Sequence, residues 1–130
     1  MLDFRNARIE DADLLLQWRN DPLTREMSRN SSLVQKNEHM EWLSRQLAKV
    51  PPALFVAELD ELPVATFRID GDTISYTVAP SHRGKGLATA LLKQVHNLHG
   101  PLNAEISRTN VASARAARGA GMNVVFIDTE

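Results

Sequence analysis

The residues best suited to chemistry lie in one stretch, Val78-Ala79-Pro80-Ser81-His82-Arg83-Gly84-Lys85-Gly86-Leu87-Ala88-Thr89. A strand-like run stops at Pro80, a basic turn with two glycines follows, and a Leu-rich helical run begins. The first amides of a helix lack intrahelical partners and carry the positive end of its dipole. Gly84 and Gly86 allow a ligand to approach the backbone closely, and Arg83 and Lys85 add positive charge. The pattern suits an anion of the phosphate or pyrophosphate type. A plain glycine-rich connector that binds nothing is the bland alternative.

Two familiar phosphate loops fit poorly. A Walker loop needs Ser or Thr after its Lys, and Lys85 is followed by Gly86. A dinucleotide fingerprint needs three small residues at G-x-G-x-x-G, and here the third is shifted. Glu105 does stand about where a ribose-binding acid would. However, the strand entering the turn is reached through hairpins, so the parallel sheet of that fold is missing.

Elsewhere the signals are thinner. Glu105, on a strand-like run near the turn, is a candidate general base or a surface carboxylate paired with an Arg. His96 and His99 share a helix face, but no third ligand at metal-site spacing accompanies them, so a solvated face is expected. Trp18 and Trp42 read as packing residues. Arg19 and Asn20 either bind substrate or finish the first helix. Tyr76 packs in a strand, with a hydroxyl that needs a partner. Ser113 has no His at a motif distance, and the absence of cysteine removes thiol nucleophiles, disulfides and thiolate zinc sites together.

The elements that must hold these residues follow from pattern. Asp3 to Ile9 reads as a short strand. Asp11 and Asp13 favour a helix start, and Ala12, Leu15 and Leu16 keep helical spacing up to Asn20-Asp21, before Pro22. Residues 23 to 31 read as loop or a short helical turn. Ser32-Leu33-Val34-Gln35 fits a capping box for a helix running to about Val50, with Met40, Leu43 and Leu47 buried and Trp42 on a flank. After Pro51-Pro52, runs at 54–59, 63–69 and 73–79 read as a three-stranded antiparallel meander, with Asp70-Gly71 as its clearest hairpin signal. Leu87, Leu91, Val95 and Leu98 then line a long helix that ends at Gly100-Pro101. A strand at 102–107, a short helix capped by Thr109 or Asn110 and running to about Arg118, and a last strand at 123–127 complete the chain. The order predicts an α+β fold, a mixed twisted sheet with helices on both faces.

The 130 residues suit one domain, 1–130, and cannot hold two sizeable cores. With 43% hydrophobic and 24% charged residues, wholesale disorder is not expected. Lys plus Arg is 15 against 16 Asp plus Glu, a net charge of -1, which argues against a nucleic-acid or membrane coat. No apolar run is long enough to span a membrane, and Asp3 interrupts the place of a signal peptide's apolar stretch, so a cytoplasmic protein is expected.

Arg83-x-x-Gly86-x-Ala88, after Val78-Ala79-Pro80 and before a Leu-rich helix, resembles the acetyl-CoA signature of the GNAT superfamily of N-acyltransferases. The resemblance continues through Glu105-Ile106-Ser107-Arg108-Thr109-Asn110, Ser113 and Gly121-Met122. Trp18-Arg19-Asn20-Asp21-Pro22 and His39-x-x-Trp42-Leu43 resemble the branch with ribosomal-protein and nucleotide-linked amino-sugar acetyltransferases. The resemblance implies a pyrophosphate cradle on the amides of Gly84, Lys85, Gly86, Leu87, Ala88 and Thr89. It also implies pantetheine contacts from Tyr76, Thr77 and Val78, and a coenzyme contact from Asn110. By the same resemblance Glu105 is the general base, and the general-acid tyrosine falls on Ala117. The chain's only tyrosine is Tyr76. The family usually has a seventh strand, so a short sheet or a partner chain at its open edge, as in a homodimer, is expected.

The fold expected with this resemblance has a cleft where two neighbouring parallel strands splay, and the expected activity is transfer of an acetyl group from acetyl-CoA to a primary amine, with no metal. The acceptor is a nucleotide-linked amino sugar or a protein N-terminus, with Arg19 and Asn20 as candidate contacts. The amine attacks directly, since no thiol or activated serine is at hand. A backbone amide near Val78 is expected to hold the oxyanion. A non-catalytic coenzyme-A-binding or partner-binding module is the alternative from another class, and a nucleotide-binding oxidoreductase is a third.

Overall fold

In the computed structural model, which describes residues 2–28 and 31–128, six strands form one sheet in the order β1-β2-β3-β4-β5-β6. They are β1 (Asp3–Asn6), β2 (Leu54–Leu59), β3 (Leu62–Asp70), β4 (Thr73–Val78), β5 (Asn103–Ser107) and β6 (Asn123–Ile127). The first four pair antiparallel, while β4–β5 and β5–β6 pair parallel, giving the mixed sheet that the pattern predicts.

The meander forms because its turns are short. Asp60 and Glu61 turn with positive φ between Leu59 and Leu62, and Gly71 does so between Asp70 and Thr73. Such turns match the twist of antiparallel strands. The parallel pairs instead require crossovers, which α4 (Leu87–His99) and α5 (Val111–Gly119) supply.

Helices α1 (Ala12–Arg19), α2 (Pro22–Glu26) and α3 (Lys36–Leu47) precede β2. Leu15 and Trp18 of α1 and Leu43 of α3 are buried with Leu54 and Val56 on one face of the sheet. On the other face, Leu91, Leu92 and Val95 of α4 and Ala114 and Ala117 of α5 pack on Ile74, Ala104 and Ile106. Two apolar clusters therefore sandwich the sheet, and alternation along each strand decides which face a side chain serves.

Several boundaries differ from the sequence pattern. β1 stops at Asn6, and Ile9–Asp11 form a 3-10 turn before α1. Arg5 holds both carboxylate oxygens of Asp11 at 2.8 Å and also reaches Glu58, so Asp11 serves this anchor instead of capping α1 with its side chain. Helix α3 starts at Lys36, four residues after the expected cap at Ser32. Val34 there forms paired hydrogen bonds with the Asn20 side chain (2.8 and 2.9 Å), which keeps the segment extended. The buried face of α3 is His39, Leu43 and Gln46, and Leu47 is exposed. Leu98 is likewise exposed, and the buried face of α4 is Leu91, Leu92 and Val95. Of the stretch 23–31, expected as loop or a short helical turn, residues 29 and 30 lie outside the described residues, and its start belongs to α2, with Asp21 as N-cap and Pro22 at the first helical position.

Candidate active site

The decisive local feature is where β4 and β5 stop pairing. Their ladder consists of Thr73–Asn103 and Ile74–Ala104 and goes no further. From Ser75 onward the two strands diverge, and a cleft of about 1030 Å³ opens between and beyond them. Antiparallel pairing of β4 with β3 fixes which groups face the gap. The Ala79 amide donates to the Val64 carbonyl at 2.8 Å, so Ala79 belongs to the residues bonded toward β3. By alternation, the main-chain groups of Tyr76 and Val78 point the other way, toward the missing partner. An extended ligand arm could pair with them, and the Val78 amide is a ready donor to a developing oxyanion.

Side chains alternate too. Ile74 and Ala104 share the α4–α5 face, so Tyr76 lies on that face and Glu105 on the opposite one, toward α1–α3. Both line the cleft. Glu105 is solvent-exposed, while Tyr76 is largely covered. The Tyr76 hydroxyl lies against the Ser113 hydroxyl and donates to the Ser113 carbonyl at 3.2 Å, across the gap in α5. Burial pushes the Tyr76 pKa up, against the smaller opposing effect of Ser113, so the group is a protonated donor at neutral pH.

At the outer end of β4 the turn residues Gly84 and Gly86 have φ of +73° and +76°, values that L side chains rarely adopt. Gly86 is the N-cap of α4 and contributes no side-chain cap, so the first amides of α4 are open to an external anion. Gly84, Gly86, Leu87, Ala88 and Thr89 line the cleft, while Lys85 is exposed and outside the lining. Arg83 lines it as well, but its guanidinium is turned toward α2. It pairs with Asp21 at 2.8 Å and donates to Thr24 Oγ1 at 2.6 Å. Asn110, the N-cap of α5, also lines the cleft, with its Oδ1 accepting from the Ser113 amide at 3.2 Å.

On the opposite side the wall is made of side chains. Trp18, Arg19, Leu23 and Met27 come from α1 and the α2 segment, and His39, Trp42 and Arg45 from α3. Burial of the Arg19 guanidinium, followed by the nearby charge of Arg25, lowers its pKa. Asn20 lies outside the lining, its amide occupied by Val34. His39 is buried, with Nε2 2.9 Å from the Ala12 carbonyl, and its ring stacks on Trp42. Desolvation lowers its pKa, so the neutral ring donates to that carbonyl and ties α3 to α1. Sequence pattern alone did not bring His39, Thr24 or Met27 to the cleft. The sole advance signal for the last two was Asp21-Pro22, an N-cap followed by a helix-starting proline. Ala117, where the resemblance places a general acid, is fully buried in the core, and Ala112, Ser113 and Ala116 face the cleft instead.

Among the described residues no cluster of His, Asp and Glu could hold a metal ion, and no helix is long and apolar enough to cross a membrane. The groups present fit acetyl-CoA: open helix amides for a pyrophosphate, and an unpaired strand edge for an extended amide-bearing arm.

Comparison with known proteins points the same way. Residues 2–123 match the model of an acetyltransferase (GNAT) domain. Aminoglycoside acetyltransferase AAC(6')-Ib, solved with coenzyme A and kanamycin, is 20% identical, with 93% of this chain and 83% of that one covered at a TM-score of 0.74. An N-acetyltransferase from Staphylococcus aureus Mu50 is 23% identical over 91% of this chain and 81% of its own, with a TM-score of 0.68. A protein provisionally described as a phosphinothricin N-acetyltransferase is also 23% identical, with 91% and 81% covered and a TM-score of 0.70. A search of curated proteins gives no match. With a family model covering nearly the whole chain, this protein belongs to the GNAT acetyltransferases, whose acyl donor is acetyl-CoA.

Proposed function

We propose that residues 1–130 act as one N-acetyltransferase domain that moves an acetyl group from acetyl-CoA to a primary amine by direct attack, in the cytoplasm. The observation that carries this reading is the opposition of Glu105 and Tyr76 across the unpaired gap between β4 and β5. An amine entering from the α1–α3 side meets Glu105, which takes its proton directly or through water. The nitrogen attacks the thioester carbonyl, whose oxygen turns to the Val78 amide. Collapse of the tetrahedral intermediate expels the thiolate on the α4–α5 side, where the Tyr76 hydroxyl, once turned from the Ser113 carbonyl, is the nearest donor. The pyrophosphate rests on the turn at 84–89, the pantetheine arm runs along Tyr76, Thr77 and Val78, and Asn110 borders it. Arg19 is the acceptor-side cation.

The acceptor in this reading is a nucleotide-linked amino sugar or a protein N-terminus. Pairing of two copies through the open edge of β6 belongs to the same reading and is tested by light scattering. Thioester consumption with an amine panel, followed by mass spectrometry of the product, tests the activity. Tight coenzyme A binding with no acetylated amine would favour the non-catalytic module instead.

A further inference from the structure

Helix α2 is an unusual wall for a binding cleft. It has five residues, and none of them is buried. An isolated helix that short does not hold together in water, and without buried apolar contacts the core does not fix its place. Its position is set by polar contacts at its two ends. At the start, Asp21 caps α2 by accepting from the Thr24 amide at 3.3 Å, and the same carboxylate pairs with Arg83 of the donor turn. Arg83 also donates to the Thr24 hydroxyl. At the end, the Thr109 hydroxyl, in the turn after β5, donates to the Met27 sulfur at 3.5 Å. The segment thus spans both lips of the gap, touching the turn after β4 and the turn after β5.

Arg83 is the shared part. Its guanidinium has five N–H donors in a fixed fork, and the contacts with Asp21 and Thr24 use one donor on each terminal nitrogen, Nη1 and Nη2. The residue lies next to Gly84 and lines the cleft, so a pyrophosphate on the turn falls within its field. Without Arg83, the Asp21 carboxylate would repel that anion. With it, one cation serves both anions.

We propose that Arg83 is a positioning residue that couples donor binding to the acceptor wall, drawing α2 over the cleft when an anion occupies the turn. The proposal rests on the donor site assigned above. Coupling of this kind amounts to roughly 5- to 150-fold between two sites.

Hydrogen exchange on the millisecond scale, with coenzyme A as the probe, tests it without needing the acceptor. In the wild type, coenzyme A should slow exchange at residues 84–89 and also at the amides of Leu23 to Ser28, the latter by about tenfold. In a variant combining Asp21→Asn with Thr24→Val, the cap survives, because Asn caps helices as well as Asp. Coenzyme A should still protect the turn there, but α2 should gain nothing. Arg83→Lys keeps the charge and loses the fork, so it should keep only part of the α2 protection. Full α2 protection in the double variant would overturn the proposal. So would a wild-type α2 that ignores coenzyme A while the turn is protected. If coenzyme A protected neither segment, the donor-site assignment itself would fall, and the coupling with it.

Discussion

The two sides of the cleft are built from different materials. The side we propose for the donor is mostly main chain: the amides at 84–89, the unpaired edge of β4, and one phenol held by Ser113. The side we propose for the acceptor is mostly side chain: indoles, an imidazole and guanidinium groups projecting from α1 and α3. A backbone site demands glycine where φ is positive and a helix that starts on cue, so few sequences can make it. A side-chain wall can be rebuilt by substitution without disturbing the fold.

The largest expected effect lies where the sides meet. Glu105→Gln should lower turnover by about a hundred- to ten-thousandfold, the usual contribution of a general base. The deficit should shrink as pH rises, because more of the amine is already neutral, and acetyl-CoA affinity should stay near wild type. Steady-state kinetics across pH, with calorimetry for the donor, separates these. A wild-type rate at every pH would reduce Glu105 to a surface carboxylate.

The donor side is broken at Gly86. Its φ of +76° is strained for any β-branched residue, although open space surrounds the site where a Cβ would sit. Gly86→Val should therefore fold, relax away from that conformation, and turn the amides off the anion. Regaining the binding geometry costs about 1–3 kcal/mol, so acetyl-CoA should bind about 5- to 150-fold more weakly by calorimetry. Unchanged affinity in a folded variant would remove the turn from the site.

The same contrast governs how much was legible in sequence. The meander was readable because its turns are local, and β2 (Leu54–Leu59) and β6 (Asn123–Ile127) have the expected ends. The glycine turn and the start of α4 were readable because glycine spacing and a helix start are both local signals. The acceptor wall was not. His39 stood out only through the branch resemblance, and its contact is with a carbonyl 27 positions away. Helix α3 started late because of a contact between Asn20 and Val34, which propensity cannot register. Arg83 was expected to serve the donor through its charge, and its ion pair with Asp21 joins residues far apart in the chain. The splay was expected with the family resemblance, but its position is silent, since nothing in the composition of Ser75 or Glu105 says that pairing ends there.

A smaller effect is expected from the hydroxyl on the donor face. Tyr76→Phe keeps the ring that packs on the core but removes the donor beside Ser113. Loss of one hydrogen bond to the departing sulfur, less the cost of turning the phenol from Ser113, amounts to about 0.5–1.5 kcal/mol, so turnover should fall about two- to tenfold with acetyl-CoA affinity nearly unchanged. Ser113→Ala should reproduce part of that loss if Ser113 orients the phenol. No change in either variant would leave departure of the thiolate to water.

The smallest effect concerns the stability of the acceptor wall and depends on pH. His39 is buried neutral, its pKa held below the ordinary value near 6.5 by desolvation, while the contact with Ala12 and the charge of Asp13 oppose that shift less strongly. In the unfolded chain the ring takes up a proton near its ordinary value, so the unfolded state binds more protons as pH falls through that range. Stability should therefore be full above about pH 6.5 and decline on acidification, with a slope of at most about 1.4 kcal/mol per pH unit from this one group. Acids held by arginines respond at lower pH. Burial opposes ionisation of Asp11 and Asp21, but hydrogen bonds from Arg5 and Arg83 bring both below the ordinary carboxylate value, so their contribution is lost only below about pH 4. His39→Gln isolates the imidazole, because the Gln amide can still donate to the Ala12 carbonyl but does not titrate. Urea unfolding at pH 7.5 and pH 5.5 should show the wild type losing more stability between the two than the Gln variant, with the two proteins within about 1 kcal/mol of each other at the higher pH. Equal losses in both proteins would mean that the tie between α1 and α3 does not depend on a neutral imidazole.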